Sequence, residues 1–408
     1  MAASISRSYE EQRDWILSAI TAFEPEAHDL AGGFAHLHGR YLAQDVHTAH
    51  PLPLWANSAM DGYAVRSLDT LGAPVELEVV GVVPAGSSED PRLLPGQTVR
   101  IMTGAPLPTD ADAVVKVEDT NGFNAHRARI NVEISAGKNV RMRGEDRDAG
   151  ALVARAGEQL TAARLSAAAA AGAVRLSVRR SPKVAVLVTG AELKAPGQDL
   201  GRGQIPESNS LLISGLLVES GITAATVKHC VDEPETVRQV LAELAATHDA
   251  VISTGGVGPG EYDVMRQVLA DEPGVQSVRV RLRPGAPQCA GRMQAGAMIF
   301  ALPGNPVSAA VGFELFARPA LRAMQGAAEL ARPALRSQAV LGWKSPADRL
   351  QVLPVVFDEH FGCAPAVKAS QISHSVGGFG SAQGYALIPQ GIDRVEPGDS
   401  VEVIRLQP

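Results

Sequence analysis

The stretch KVAVLVTG, residues 183–190, decides the fold of this 408-residue chain. It is a continuous apolar run that ends in glycine. Two later runs have the same form, DAVISTGG at 249–256 and AMIFALPG at 297–304. Continuous apolar runs are typical of strands that are buried on both faces, as in a parallel sheet. The three stretches therefore predict three central strands of one sheet.

Helical patterns lie between these strands. SNSLLISGLLVESG, residues 208–221, begins with an N-cap residue and ends at a glycine, and PETVRQVLAELAA, residues 234–246, begins with proline. Strand alternating with helix is the pattern of an open parallel α/β sheet. We therefore predict an α/β domain over residues 179–326.

The flanking regions have other periodicities. Residues 1–50 and 144–178 predict a helical N-terminal domain, because Trp15, Ile16 and Ile20 recur at helical spacing and both HLHGRYLAQDV (36–46) and LTAARLSAAAAAGAV (160–174) resemble helices. Residues 51–143 contain short alternating runs such as VELEVVGVV, separated by proline and glycine, which predicts an inserted β-rich module. Residues 335–408 alternate with period two, which indicates a small β-barrel or sandwich.

Composition excludes several classes of protein. The net charge is −7, and the chain has no basic region of the kind that binds nucleic acid. No apolar run reaches the roughly 20 residues that span a bilayer, and the polar N-terminus has no signal-peptide core. We therefore expect a cytoplasmic protein that binds neither membrane nor nucleic acid. The three separated cysteines argue against a disulfide framework and against a CxxC zinc site.

Three glycine-bearing loops follow the predicted strands, at Thr189–Glu192, Ser253–Glu261 and Pro303–Ser308. Ligands of open α/β sheets bind beyond the carboxyl ends of the strands. Glycine allows close approach of a ligand, and N–H groups at helix starts favour an anion. The loops could be structural turns, but three at one edge favour a phosphate-bearing or oxoanion ligand. GGVGPGE only partly matches a dinucleotide fingerprint and lacks the acidic residue that should follow.

Three charged stretches have a plain structural interpretation. Asp61 in NSAMDGYAV (57–65) could initiate a plain type I turn or act in a site. In VRVRLRPGAP (278–287), Arg281 fits the solvated face of an edge strand. In NVRMRGEDRDAG (139–150), opposite charges meet at a turn and could form exposed salt bridges, which are common and weak.

Six motifs together point to a family. In chain order they are NSAMDGYAVR, RIMTGAPLPTDADAVV, NVRMRGEDRDAG, TGAELKAPGQ, STGGVGPGEYD and LPGNPVSA. In this order they closely resemble the molybdopterin molybdenumtransferase family (MoeA), to which the gephyrin E domain is similar. The resemblance extends from about residue 8 to the C-terminus.

The resemblance implies an elongated homodimer whose chain has a helical segment, an inserted β module, an α/β domain of the molybdopterin-binding type and a C-terminal β-barrel. It also implies transfer of molybdenum from molybdate into adenylylated molybdopterin with release of AMP, assisted by Mg²⁺. The active cleft would lie between the α/β domain of one subunit and the β module of the other. Contacts with the molybdopterin adenylyltransferase and with recipient molybdoenzymes would follow.

The resemblance also implies the site residues. The catalytic positions are Asp61, Asp146, Glu192 and Asp263, of which Glu192 and Asp263 would also bind the metal. The substrate-binding positions are Thr103, Arg141, Asp232, Gly255, Gly256, Arg283, Pro303, Gly304, Asn305, Ser308 and Ser373.

The sequence departs from the family pattern around the expected oxoanion pocket. Ala286 replaces a second cation after Arg283, Ala191 stands where an acidic residue is common, and DRLQVLP (348–354) has one arginine fewer than expected. The alternative function is therefore a non-catalytic molybdopterin-binding or scaffold paralogue. A nearby arginine from elsewhere in the chain would restore the charge and favour the transferase. A third hypothesis, an enzyme that adenylylates molybdopterin, does not account for the β module and the barrel.

Overall fold

The computed structural model describes residues 5–123, 126–222, 225–258 and 263–406. The first described elements are β1 (Ile5–Arg7) and α1 (Tyr9–Ser18). The Ser8 hydroxyl accepts a hydrogen bond from the N–H of Glu11, and the Glu11 carboxylate accepts one from the N–H of Ser8, which fixes the start of α1. The helical prediction is confirmed here. Among the described helices, none has the length and apolarity needed to cross a bilayer.

The helical prediction is wrong for most of the following residues up to 50. They form β2 (Pro25–Asp29), α2 (Phe34–Leu37), β3 (Tyr41–Leu42) and β4 (Val46–His47), with one 3-10 turn at Leu30–Gly32. The stretch 36–46 leaves the helix after Leu37, because Gly39 has a φ of +82°, which a right-handed helix does not allow.

The strands predicted for residues 51–143 are confirmed. Five of them form one sheet in the order β10-β7-β8-β6-β9, with an apolar cluster on each face. The outermost two, β5 and β11, pair with each other and tie the ends of the segment together. The strands are β5 (Asn57–Ser58), β6 (Gly62–Val65), β7 (Val75–Val83), β8 (Gln97–Ile101), β9 (Ala113–Lys116), β10 (Arg127–Ile130) and β11 (Val140–Arg141).

The chain then returns to its N-terminal region through β12 (Leu152–Ala154), α3 (Ala162–Ala170) and β13 (Arg175–Arg179). β13 pairs with both β2 and β3, and β12 pairs with β4, so the segments before and after the inserted module form one unit. Helix α3 matches its prediction. In its described residues, six short strands accompany three α-helices, which corrects its description as helical.

A seven-stranded sheet follows, in the order β1-β19-β21-β22-β18-β14-β17. Its strands β17, β14, β18 and β22 are parallel, as predicted. Beyond them β21 and β19 add an antiparallel pair, so the sheet is mixed. The elements are β14 (Val184–Thr189), β15 (Leu193–Lys194), β16 (Ile205–Pro206), α4 (Asn209–Glu219), β17 (Ala225–Cys230), α5 (Pro234–Thr247), β18 (Ala250–Thr254), α6 (Val264–Leu269), β19 (Val275–Val280), β20 (Leu282–Arg283), β21 (Pro287–Arg292), β22 (Met298–Leu302), α7 (Pro306–Gly312) and α8 (Arg318–Met324).

The edge-strand interpretation of residues 278–287 is wrong for β19. Strand β19 lies between β21 and β1, because the N-terminal strand β1 pairs with it in parallel and takes the edge position. Arg281 follows β19, and its guanidinium lies 3.6 Å from the Glu11 carboxylate of α1.

The C-terminal strands form a sheet that closes on itself. The order is β20-β25-β27-β29-β23, β26 pairs with β25, and a parallel bridge between Ala339 and Cys363 joins the end of β23 to β26. Pairing of β20 with β25 connects this barrel to the α/β sheet. The elements are β23 (Ala334–Gln338), β24 (Trp343–Lys344), β25 (Leu350–Phe357), β26 (Cys363–Pro365), α9 (Val376–Phe379), β27 (Gly384–Ile388), β28 (Arg394–Val395) and β29 (Ser400–Arg405).

A buried ionic cluster lies where these units meet. Between α7 and α8 the helix widens into a π turn, Phe313–Ala317, whose Glu314 side chain is only 2% exposed. The Glu314 carboxylate lies 3.1 Å from Nε of Arg332 and 3.5 Å from Nη1 of Arg318. Burial raises the pKa of Glu314, and burial lowers the pKa of Arg318 to about 10.

Glu314→Ala is expected to lower the free energy of unfolding by about 3–5 kcal/mol, because it leaves buried arginines without a counter-charge. The exposed pair between Glu235 and Arg238 offers a matched control, and Glu235→Ala is expected to change stability by less than about 0.5 kcal/mol. Denaturant unfolding followed by circular dichroism measures both. Equally small losses of unfolding free energy in the two variants would show that the buried cluster contributes little to stability.

Candidate functional site

Segments of the β module and the residues directly after it carry four of the predicted site residues. Backbone hydrogen bonds join Ser58 to Ala105 and Gly104, and Ala59 to Asn139. The N–H of Asp146 donates to the carbonyl of Leu52. As a result the predicted residues of these segments, all exposed, lie on one connected surface: Asp61, Thr103, Arg141 and Asp146.

Asp61 makes specific contacts with Thr103. Its Oδ1 accepts hydrogen bonds from the Thr103 N–H at 2.7 Å and from the Thr103 hydroxyl at 2.8 Å. The hydrogen bond from the Thr103 N–H, and to a smaller extent the one from the Thr103 hydroxyl, holds the pKa of Asp61 below its usual range. The next residue must be glycine, since a Cβ on Gly62 would lie 2.0 Å from the carbonyl oxygen of Val115. Asp61 is therefore an exposed, ionised carboxylate held in a defined orientation.

The glycine loops of the α/β sheet converge at the carboxyl ends of β14, β18 and β22. A Cβ on Gly255 would lie 2.8 Å from the carbonyl oxygen of Thr189, and one on Gly304 would lie 3.5 Å from Cα of Gly255. Gly255 has a φ of +103° and Gly256 one of +62°, which explains the glycine pair. Part of the second loop, Pro259–Glu261, lies outside the described residues.

The carboxylates predicted near this edge follow three neighbouring strands. Glu192 is exposed after β14, Asp232 follows β17, and Asp263 precedes α6 in the loop after β18. One Asp232 oxygen is buried without a hydrogen-bond partner. In the part of the chain that the structure describes, no three His, Cys, Asp or Glu side chains converge as a metal site would require.

The predicted oxoanion-binding residues line one pocket of about 330 Å³ between the α/β sheet and the barrel. Arg283 is half-buried there and donates to the carbonyl of Ser370 at 3.1 Å, which holds the barrel loop that carries Ser373 against the pocket. A Cβ on Gly285 would lie 3.3 Å from the carbonyl oxygen of Ser308, so these two segments are in close contact. The predicted residues that the pocket unites are Arg283, Pro303, Asn305, Ser308 and Ser373.

Sequence reasoning did not identify Arg349, which also lines this pocket. It lies immediately before β25, whose pairing with β20 brings it to Arg283. The hydrogen bond to Asp348 raises the pKa of Arg349, and the pKa of Asp348 is lowered by the same contact. The residue stands in the DRLQVLP stretch, but only the β20–β25 pairing shows that it reaches the pocket.

Thr103→Val is expected to raise the pKa of Asp61, because the variant loses the hydroxyl donor but keeps the N–H donor. A carboxylate whose pKa is lower in the folded state than in the unfolded state stabilises the fold at pH values above its unfolded-state pKa. This stabilisation is lost as the pH falls through the folded-state pKa. The variant's acid unfolding should therefore begin at slightly higher pH. Carbon-detected NMR titration of Asp61 measures the shift. Thr109→Val, which acts in the same way on Asp90, is the control that should leave Asp61 unchanged.

Comparison with known proteins gives a consistent result along the chain. Residues 7–172 match the MoeA N-terminal region (domain I and II), residues 185–323 match the probable molybdopterin binding domain, and residues 338–406 match the MoeA C-terminal region (domain IV).

Individual relatives cover nearly the whole chain. It is 36% identical to molybdopterin molybdenumtransferase 2 and 30% identical to molybdopterin molybdenumtransferase 1 of Mycobacterium tuberculosis, each over 97% of this chain and 98–99% of the relative. The crystal structure of the molybdopterin biosynthesis moeA protein from Pyrococcus horikoshii OT3 superposes with a TM-score of 0.80 at 25% identity, covering 97% of this chain and 99% of that one. The chain therefore belongs to the MoeA family of molybdopterin molybdenumtransferases.

Proposed function

We propose that this protein transfers molybdenum from molybdate into adenylylated molybdopterin and releases AMP, as a step of molybdenum cofactor biosynthesis. The relatives named as molybdopterin molybdenumtransferases support this activity. The observation that carries the proposal is the pocket that contains Arg283 and Arg349.

This pocket has the chemistry that a tetrahedral dianion requires. Molybdate carries two negative charges, and guanidinium groups bind oxoanions through charge-assisted hydrogen bonds. Ser308 and Ser373 add hydroxyl groups to the lining, and Asn305 adds a side-chain amide. We assign to Arg283 and Arg349 the role of holding the dianion next to the glycine loops.

The alternative of a non-catalytic scaffold depends on a pocket with too little positive charge. Ala286 lines the pocket and contributes no charge, but Arg349 supplies a second guanidinium from the barrel. With Arg283 it gives the pocket two guanidinium groups, and that of Arg349 is also paired with Asp348. The pocket charge therefore favours the transferase over the scaffold.

We assign the nucleotide and its pyrophosphate to the glycine loops at Thr189, Gly255 and Gly304. Glu192 and Asp263 stand on the first two of these loops, which follow the paired strands β14 and β18. Two carboxylates on adjacent loops suit Mg²⁺, which keeps several waters and takes phosphate oxygens as further ligands. When bound, Mg²⁺ would neutralise charge on the pyrophosphate. The role of the protein is to orient a water molecule and to neutralise charge.

We propose further that the protein is a homodimer in which Asp61, Thr103, Arg141 and Asp146 face the partner's α/β sheet. Around Asp61, four large apolar side chains are exposed: Leu54, Trp55, Met60 and Met142. On the α/β domain, the outer side of α4 exposes Leu211 and Val218. A helix that is apolar on all sides is normally buried. A second copy would cover both surfaces and bring its carboxylates to the glycine loops.

The domain division that we propose is 1–50 with 144–178, 51–143, 179–326 and 335–408. The first unit shares its β1 and α1 with the third. We propose a cytoplasmic location, and contacts with the molybdopterin adenylyltransferase and with recipient molybdoenzymes, because the proposed substrate comes from the first and the proposed product goes to the second.

Arg349→Ala is expected to raise the KM for molybdate by about 10–100-fold, because a charge-assisted contact to the dianion is lost. The assay combines purified protein, adenylylated molybdopterin, Mg²⁺ and micromolar molybdate, and measures both AMP release and reconstitution of a cofactor-free molybdoenzyme. Arg394→Ala removes an exposed arginine elsewhere in the barrel and serves as the control. If the wild-type protein yields AMP without reconstitution, or neither product, the transferase proposal fails.

Val218→Asp is expected to weaken dimerisation at least about tenfold, because it places a charge in the covered face of α4. Light scattering coupled to size-exclusion chromatography measures the mass. Leu341→Asp, at an equally exposed barrel position, is the control. A wild-type protein that is monomeric at high micromolar concentration would contradict the shared cleft.

A further inference from the structure

A cleft at the carboxyl edge of the sheet is lined by none of the predicted site residues. It has a volume of about 600 Å³ and lies beyond the ends of β14 and β17, beside the start of α4. This volume falls in the range of about 300–1,000 Å³ that small-molecule sites occupy. Its walls are mostly apolar, with Val188, Leu193, Leu211 and Val231 among them.

One buried carboxylate stands in this mostly apolar lining, which also contains Lys194 and His229. Glu207 is 5% exposed, and its two oxygens accept hydrogen bonds from the N–H and the hydroxyl of Ser210 in the first turn of α4. These bonds fix the orientation of the carboxylate. An ionised carboxylate has about four acceptor positions, so acceptor capacity remains for a ligand.

We propose that this cleft binds the pterin ring of the substrate and that Glu207 recognises its pyrimidine edge. This inference rests on the transferase function proposed above, which supplies the substrate class. A pterin presents two adjacent donors on one edge, the ring N3–H and the 2-amino group. Either one carboxylate oxygen accepts hydrogen bonds from both donors, or each oxygen accepts a hydrogen bond from one of them. The apolar walls then cover the two faces of the flat ring.

Adenine, the other ring of the substrate, fits the cleft less well. Its corresponding edge presents one donor, the 6-amino group, beside the acceptor N1, whose lone pair a carboxylate would repel. The carboxylate therefore selects the pterin. The position is consistent with the rest of the site, because Gly190 lies both in this cleft and in the first glycine loop, where the pyrophosphate is assigned.

The test is a titration of the full-length protein with two probes, 6-hydroxymethylpterin and AMP. Glu207→Gln removes the charge and one acceptor but keeps the size of the side chain. We expect pterin affinity to fall by about 10–100-fold and AMP affinity to stay within twofold. Glu219→Gln, at the exposed end of α4, is the matched control and should change neither affinity.

A second variant keeps the inference testable if Glu207→Gln unfolds. Ala191 lines the cleft and is exposed, so Ala191→Trp should fill the cleft, leave the melting temperature unchanged and weaken pterin binding equally. Unchanged pterin affinity in the folded variants, or a selective loss of AMP affinity, would overturn the inference. Loss of pterin binding in both variants, together with a wild-type protein that inserts no molybdenum, would leave the pterin site standing and refute only the transferase proposal.

Discussion

The buried Glu314 carboxylate is the contact on which the arrangement of the units depends. It lies on the π turn between α7 and α8, directly after the third glycine loop and its helix. Arg332 binds it and also donates to the carbonyl of Leu406 at the end of the barrel, while Arg318 donates to the carbonyl of Leu330 in the connector. A charge buried so deeply must remain paired. The helix, the connector and the barrel are therefore held in one relative position.

That position determines where positive charge meets the sheet. Arg283 comes from β20 and Arg349 from the residue before β25, and the parallel pairing of these strands brings both to the same pocket. The pocket opens beside Pro303 and Asn305, next to the glycine loops. Cations thus lie on the barrel side of the strand ends, whereas the exposed carboxylate Asp61 lies on the separate β module. On our proposal, a second chain brings its Asp61 to these cations.

The sequence-based interpretation was most accurate where one physical pattern acts alone. Continuous apolar runs identified β14, β18 and β22, and helical spacing with caps identified α3, α4 and α5. It failed where tertiary contacts override a local pattern. The stretch 36–46 has an amphipathic pattern, yet Gly39 ends the helix and the following residues pair with β13. Strand β19 resembled an edge strand because nothing in its own residues indicates that β1 will cover it.

Of the candidate site, the sequence by itself determined the residue types and their order: the glycine loops, Asp61 followed by glycine, and the departure at Ala286. These follow from backbone conformation and from motif order, both of which are properties of short segments. Only the tertiary structure decided which distant segments share a surface, such as Thr103 with Asp61, Arg349 with Arg283, and Glu207 with an apolar cleft. The reason is that strand pairing and burial join residues tens to hundreds of positions apart, and no local periodicity encodes those pairings.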